Sequence, residues 1–273
     1  MRVVFGAERG RFGIYAKGCL GRVVLSTSIL ETRVISHDTH LSIGSLLFDG
    51  MDQIDLTGPF EALSRLPNST YQIYAKTSAP VRDLNGLRLL PDATLDAAPQ
   101  CDVLHIPGGF GQEALMEDQA VLDWIQRQAG GARYILSVCT GALLCGAAGL
   151  LKGRRATTHW SSLHLLPYFG ATAVNERVVI DANYVFAAGV TAGIDGALRL
   201  AAELRGEETA QSIQLDMVYA PEPPFHSGTP ESAPASIVDR ARQSYAKITA
   251  QREETARRVA ARLGIGLGKS RLA

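Results

Sequence analysis

Tyr134–Leu151, YILSVCTGALLCGAAGLL, decides the reading of this chain. Its first half, Tyr134 to Val138, is a short apolar run with a β-branched end, as in a buried strand. Its second half, from Ala142 onward, is made of small and apolar residues, as in a buried helix. Only Cys139, Thr140 and Gly141 separate the two. A strand that turns so sharply into a helix lifts the turn residue out of the sheet. It also aims the unbonded N–H groups of the helix at that side chain, the logic of a nucleophile elbow. Those N–H groups are expected to favour the thiolate of Cys139 over the thiol. The plainer alternative is a cysteine acting as a small buried hydrophobe.

Around this stretch, strands and helices alternate. Leu41–Phe48, Tyr71–Ala75 and Asp102–Ile106 read as core strands, with helical spacing at Phe60, Leu63 and Leu66 and again at Val121, Leu122, Ile125 and Ala129. Asn85-Gly86 between apolar positions predicts a hairpin over 81–90, and Asp181–Asn183 predicts another between 177–180 and 184–187. Arg155–Thr158 reads as a short strand ending at His159, followed by a brief helix through Leu163, Leu166 and Phe169. Helices are expected from Thr191, over 207–218, and over 237–263. Such alternation predicts an α/β fold: a parallel sheet sandwiched by helices, with ligands bound beyond the carboxyl ends of the strands. Asp55, Gly108-Gly109, Cys139 and His159 all follow predicted strands and so share that edge.

The 273 residues carry 27 basic and 27 acidic side chains, a net charge of zero. This balance argues against a general nucleic-acid or anionic-membrane surface. No apolar run reaches the roughly 18 residues of a membrane span. The four cysteines (Cys19, Cys101, Cys139, Cys145) show neither a disulfide framework nor metal-type pairing, which suits a reducing cytoplasm. Three segments are expected: a poorly ordered extension over 1–40, an α/β domain over 41–219, and a proline-rich connection with a charged C-terminal helix over 220–273.

Several residues at the predicted edge have two readings. Pro107-Gly108-Gly109 turns the backbone and offers N–H donors that, with the N–H of Thr140, could hold charge on a substrate atom. Asp55 could share acid–base work with the thiol, its carboxyl keeping its proton in an apolar setting; it could equally cap a helix. His159, followed by Trp160, fits a satisfied structural histidine better than a base. His159 and His164 lack the spacing of a metal pair, so no metal is expected.

Four motifs in order, IPGGFG (106–111), SVCTGALLCGAAGLL (137–151), KGRRATTHW (152–160) and TAGIDGALRLAAEL (191–204), resemble the DJ-1/PfpI superfamily over residues 41–263. The resemblance implies the flavodoxin-like sheet of class I glutamine amidotransferases. LLF (46–48), IDLTGP (54–59) and the segments YAPEPPF and SGTPESAPASIV after residue 218 look most like its isonitrile-hydrating branch. That branch adds water to R–N≡C without metal or organic cofactor. It places the nucleophile on Cys139, the assisting carboxyl on Asp55, and a supporting hydroxyl and backbone donor on Thr140. The peptidase-like branch has histidine after the nucleophile, where this chain has Thr140. The regulator branch carries a C-terminal DNA-binding domain, for which the roughly 50 residues after Phe225 are too few. Related folds also serve as redox sensors, in which Cys139 would be oxidised. Members are commonly homodimers, and the helix over 237–263 is expected to cross to a neighbour, its apolar stripe (Ile237, Ala241, Tyr245, Ile248, Ala256, Val259, Leu263) at the interface. The plainer alternative is a solvated arm that packs back on its own subunit.

Overall fold

The computed structural model describes residues 34–266, together with a short antiparallel strand pair, Ala7–Glu8 with Arg11–Phe12. Apart from that pair, residues 1–33 of the extension expected over 1–40 lie outside the described residues; its last part is ordered, because Arg205 donates to the carbonyls of Ile35, Ser36 and Thr39.

Apolar runs too short for helices build the sheet. In chain order its strands are β1 (Leu41–Leu46), β2 (Ser69–Ala75), β3 (Ala93–Thr94), β4 (Val103–Ile106), β5 (Tyr134–Val138), β6 (Val178–Asp181) and β7 (Tyr184–Ala187). They lie side by side in the order β6-β7-β5-β4-β1-β2-β3, all parallel except β6, which pairs antiparallel with β7. All of β4 and β7 is buried, as expected for parallel strands covered on both faces.

Helices α1 (Gln53–Leu63), α4 (Ala192–Arg205) and α5 (Glu207–Asp216) lie on one face, where Leu63, Leu200 and Leu204 meet Leu41, Leu136 and Val138. On the other face are α2 (Gln119–Gly131), α3 (Gly141–Ala147), a 3₁₀ stretch over Trp160–Phe169 and α6 (Ala235–Arg262). There Trp124, Leu143, Phe169 and Val259 pack together. Each such side chain contributes roughly 1.5–3 kcal/mol by leaving water.

The chain runs from β1 outward through β2 and β3, then returns to place β4 on the other side of β1. That reversal opens a crevice past the carboxyl ends of β1 and β4, the place where such sheets bind ligands. The segments after β1, β4 and β5 carry Asp55, Gly108 and Cys139 respectively.

Several local expectations shift. The first strand stops at Leu46, two residues early, because Leu47 and Phe48 turn toward the loop at Asp49-Gly50. The strand expected over 155–158 shrinks to Arg155–Ala156, paired with Thr172–Ala173 outside the main sheet. Asn85-Gly86 does make a hairpin, Val81–Arg82 with Arg88–Leu89, tied by Asp83 accepting from the N–H groups of Asn85 and Leu87. The C-terminal half of α6 packs on its own subunit, where Arg252, Thr255, Ala256, Val259 and Ala260 are buried. Toward its N-terminus the expected stripe is open: Ile237 is exposed, and Ala241, Tyr245 and Ile248 are half-buried.

Candidate active site

Cys139 sits between β5 and α3 with φ of 54°, a left-handed conformation that costs a non-glycine residue roughly 1–2 kcal/mol. Both sides of the residue are held. Its N–H donates to Ala187 O (2.9 Å), and its carbonyl accepts from Thr158 Oγ1 (2.7 Å). A strained conformation persists when its surroundings over-determine it in this way.

Asp55 approaches from α1. That helix is capped by Asp52, whose carboxylate accepts from Ile54 N (3.2 Å). Asp55 is therefore neither the cap nor a strand end; it lies in the first helical turn and is fully buried. Its Oδ2 accepts from Gly108 N (3.0 Å), while Oδ1 has no hydrogen-bond partner. Burial, and next the Asp52 carboxylate, push its pKa up to about 8. The carboxyl thus carries a proton at neutral pH.

The glycine turn is close-packed. A Cβ on Gly108 would lie 2.5 Å from Thr140 N and 2.9 Å from Asp55 Oδ2. Gly109, at φ +136°, passes so near Met51 that a Cβ would sit 2.4 Å from its Cα. Thr140 Oγ1 accepts from Gly109 N (3.0 Å) and donates to Gly109 O (3.2 Å). The N–H groups of Gly108 and Gly109 are thus both spoken for, by Asp55 and Thr140. The expected hole for a developing anion is not built from them. Thr140 N–H is the backbone donor that faces the thiol.

The thiolate expectation also changes. Burial, and next the Asp55 carboxyl, push the Cys139 thiol well up, outweighing the Thr140 N–H. A buried thiol at the start of a seven-residue helix gains less from that end than it loses with water. At neutral pH the resting pair is a thiol beside a carboxylic acid.

Cys139 opens into a cavity of about 140 Å³ that Thr140, His159, Phe110, Tyr245 and Arg252 help to line. His159 Nδ1 is hydrogen-bonded to Ser161 Oγ (2.8 Å), and the ring packs against Trp160 (5.3 Å) and Tyr245 (5.5 Å). Burial and the nearby Arg252 charge bring its pKa down to about 4. It forms a neutral wall of the cavity. Among the described residues no cluster of three or more His, Cys, Asp or Glu could hold a metal ion.

Sequence reasoning missed Phe110, Tyr245 and Arg252 as site residues. A signal existed for the last. In the stripe Ala241, Tyr245, Ile248, Ala256, Val259, position 252 falls four residues from Ile248 and four from Ala256, so an arginine there interrupts an apolar face.

The model of the DJ-1/PfpI family matches residues 42–203. The chain belongs to the DJ-1/PfpI family. Isonitrile hydratase of Pseudomonas putida is 50% identical over 225 residues, covering 82% of this chain and 99% of that protein. The crystal structure of a ThiJ/PfpI family protein from Pseudomonas syringae superposes with a TM-score of 0.78 at 36% identity, covering 86% of this chain and 97% of that one. Drosophila melanogaster DJ-1beta shares the fold at a TM-score of 0.61 and 24% identity, over 67% of this chain and 100% of its own. The DJ-1/PfpI match includes β1, β4, β5 and the turn that bears Cys139; α6 lies beyond it. No helix among the described residues is long and apolar enough to cross a membrane.

Proposed function

We propose that the protein hydrates small isonitriles to N-substituted formamides, with Cys139 as nucleophile and Asp55 as the acid and base. The observation that carries the reading is Asp55: a fully buried carboxyl, protonated at neutral pH, with one oxygen unpartnered beside the Cys139 thiol. The chemistry needs such a group. The terminal carbon of R–N≡C must gain both a nucleophile and a proton, and a pre-formed pair supplies them together. The half-identical relative from Pseudomonas putida supports the choice of substrate.

The active form holds one proton on the pair, and passage of the thiol proton to the Asp55 carboxylate gives the reacting arrangement, carboxylic acid beside thiolate. The thiolate forms a C–S bond to the isonitrile carbon while Asp55 gives its proton to the same carbon, leaving R–N=CH–S and a carboxylate. Water then attacks that carbon. Asp55 takes a proton from the water and passes it to nitrogen, giving R–NH–CH(OH)–S. When the C–S bond breaks, the hydroxyl proton returns to Asp55, the thiolate is restored, and R–NH–CHO leaves. Water and isonitrile are consumed one for one. The Thr140 N–H, aimed at sulfur, stabilises the charge there at both ends of the cycle. Thr140 Oγ1 keeps the glycine turn, and so the Gly108 donor to Asp55, in place. The cavity of about 140 Å³ suits a compact R group, since an engineered apolar cavity of about 150 Å³ takes a benzene.

The test is turnover of cyclohexyl isocyanide, read as formamide by chromatography. Cys139→Ser is expected to lower it by about 10³-fold or more while leaving the thermal transition in place. Near-full turnover by that variant, or none by the native chain, sinks the reading. A native chain without turnover whose Cys139 is oxidised rapidly by dilute peroxide would instead favour a redox sensor.

A further inference from the structure

Arg252 is an arginine in a place that costs free energy. It lies on α6 with only 2% of its surface exposed, and its guanidinium reaches the cavity that holds Cys139. Nη2 donates to Gly109 O (2.7 Å), Nε to Gln112 Oε1 (3.1 Å), and Nη1 approaches Ser162 Oγ (3.5 Å). Every one of these acceptors is neutral. Its neighbours on the helix are treated differently: Arg257 pairs with Glu253 at 2.6 Å and Arg258 with Glu117 at 2.8 Å. Among the described residues no carboxylate lies within ion-pair distance of Arg252. A buried cation without an anion is strongly unfavourable unless one can form opposite it.

The titratable groups around it come from several elements. Glu113, in the short helix Gln112–Leu115, accepts from Thr255 Oγ1 at 2.6 Å. His159 is neutral, and Tyr245 stacks edge-on against Phe110 and His159. Asp52 lines the cavity but is bound to its own helix as cap. Asp55, fully buried, and Cys139 complete the set, and they are the pair that must lose a proton for reaction. The Asp55 carboxyl works against an anion on sulfur. Among the lining residues Arg252 alone carries a positive charge.

We propose that Arg252 is the positioning residue whose fixed charge selects the pH at which the Cys139–Asp55 pair gives up its first proton and sulfur becomes nucleophilic. The resting thiol leaves the guanidinium uncompensated, and the thiolate compensates it. The same side chain anchors α6 to the Gly109 carbonyl, so the C-terminal helix closes the cavity and charges it in one contact. The inference rests on Cys139 being the reactive group, and not on the isonitrile.

The experiment is the rate of Cys139 alkylation by iodoacetamide as a function of pH, read by peptide mass spectrometry on the full chain so that Cys19, Cys101 and Cys145 are counted separately. An opposite charge at close range moves a titration by about 1–3 pH units. Arg252→Met is expected to raise the midpoint by that amount, slowing alkylation at pH 7 by about tenfold or more. Arg252→Lys, which keeps the charge, is expected to recover most of the shift. A purely structural anchor would change the rate at all pH values and leave the midpoint alone; an unmoved midpoint in Arg252→Met overturns the proposal. Should that variant fail to fold, Arg252→Gln, which keeps donors for the Gly109 carbonyl without the charge, makes the same comparison. A shifted midpoint with no formamide formed would leave this inference standing and remove the hydratase reading. Normal turnover with an unmoved midpoint would do the reverse.

Discussion

Replacing Asp55 by asparagine removes one ionisable proton with almost no change of volume, and the structure says what that proton does for the fold. In an unfolded chain the Asp55 carboxyl titrates near 3.9 or so. In the fold, burial and the Asp52 carboxylate push it up to about 8. Between those two values the native protein holds a proton that the unfolded chain has released. The unfolded state binds fewer protons there, so stability falls as pH rises through this window. Each unit corresponds to about 1.4 kcal/mol, which sets an upper bound of about 5–6 kcal/mol. Water entry and relaxation around the charge reduce this, and a loss of about 2–5 kcal/mol between pH 4.5 and 8 is expected. The asparagine cannot ionise, so Asp55→Asn is expected to lack this decline and to be the more stable protein at pH 8. Its carbonyl can still accept from Gly108 N, as Asp55 Oδ2 does. Helix α1 keeps its cap because Asp52 supplies it. Urea unfolding followed by circular dichroism at pH 4.5, 6, 7 and 8 measures both slopes. Formamide assays on the same samples are expected to show a loss of about a hundredfold or more. Equal pH slopes in the two proteins, or near-native turnover in the variant, would refute the assignment of a protonated carboxyl at this position.

Gly108→Ala places a methyl 2.5 Å from Thr140 N and 2.9 Å from Asp55 Oδ2, and should cost about 1–3 kcal/mol in urea unfolding while abolishing formamide production. Arg205, 2% exposed, donates to the carbonyls of Ile35, Ser36 and Thr39, so Arg205→Met is expected to lower the unfolding free energy by about 3 kcal/mol without changing KM. We also propose a homodimer, which would cover exposed apolar side chains. Leu215, Val218 and Phe225 are 79%, 84% and 77% exposed near the end of α5 and the proline-rich connection. Light scattering at micromolar concentration should give twice the chain mass, and a monomeric mass excludes the dimer.

The sheet could be read from the chain because its strands are short, apolar and separated by helical spacing, and each property reflects burial on both faces. Leu41–Leu46, Val103–Ile106 and Tyr134–Val138 declare themselves in this way. What composition leaves open is where a strand stops and what its flanking polar residues bond to. Asp55 was placed at the edge as acid or cap. The cap is Asp52, three residues earlier, and only the geometry of the first turn separates the two. The fate of the Gly108 and Gly109 N–H groups was equally hidden. Glycines in a turn signal close approach, and they say nothing about which oxygen arrives.

The ionisation of Cys139 shows the limit most clearly. A helix N-terminus is legible in CTGALL, and its pull on a thiolate is a local effect of one short helix. The opposing terms come from farther along the chain, from a buried carboxyl on α1 and from the burial that the walls at Phe110 and His159 help to supply, while a cation from α6 pulls the other way. None of these is near Cys139 in sequence, and their sum changes the sign of the expectation. The length of the charged helix and the proline-rich connection before it favour an intermolecular arm when only the sequence is read. The decisive fact is that one arginine, Arg252, occupies the stripe instead of the opposite face. A charge inside an apolar period demands a partner, and here the uncompensated partner is the site itself. Position within the period, more than the number of charges, was therefore the informative quantity in this helix.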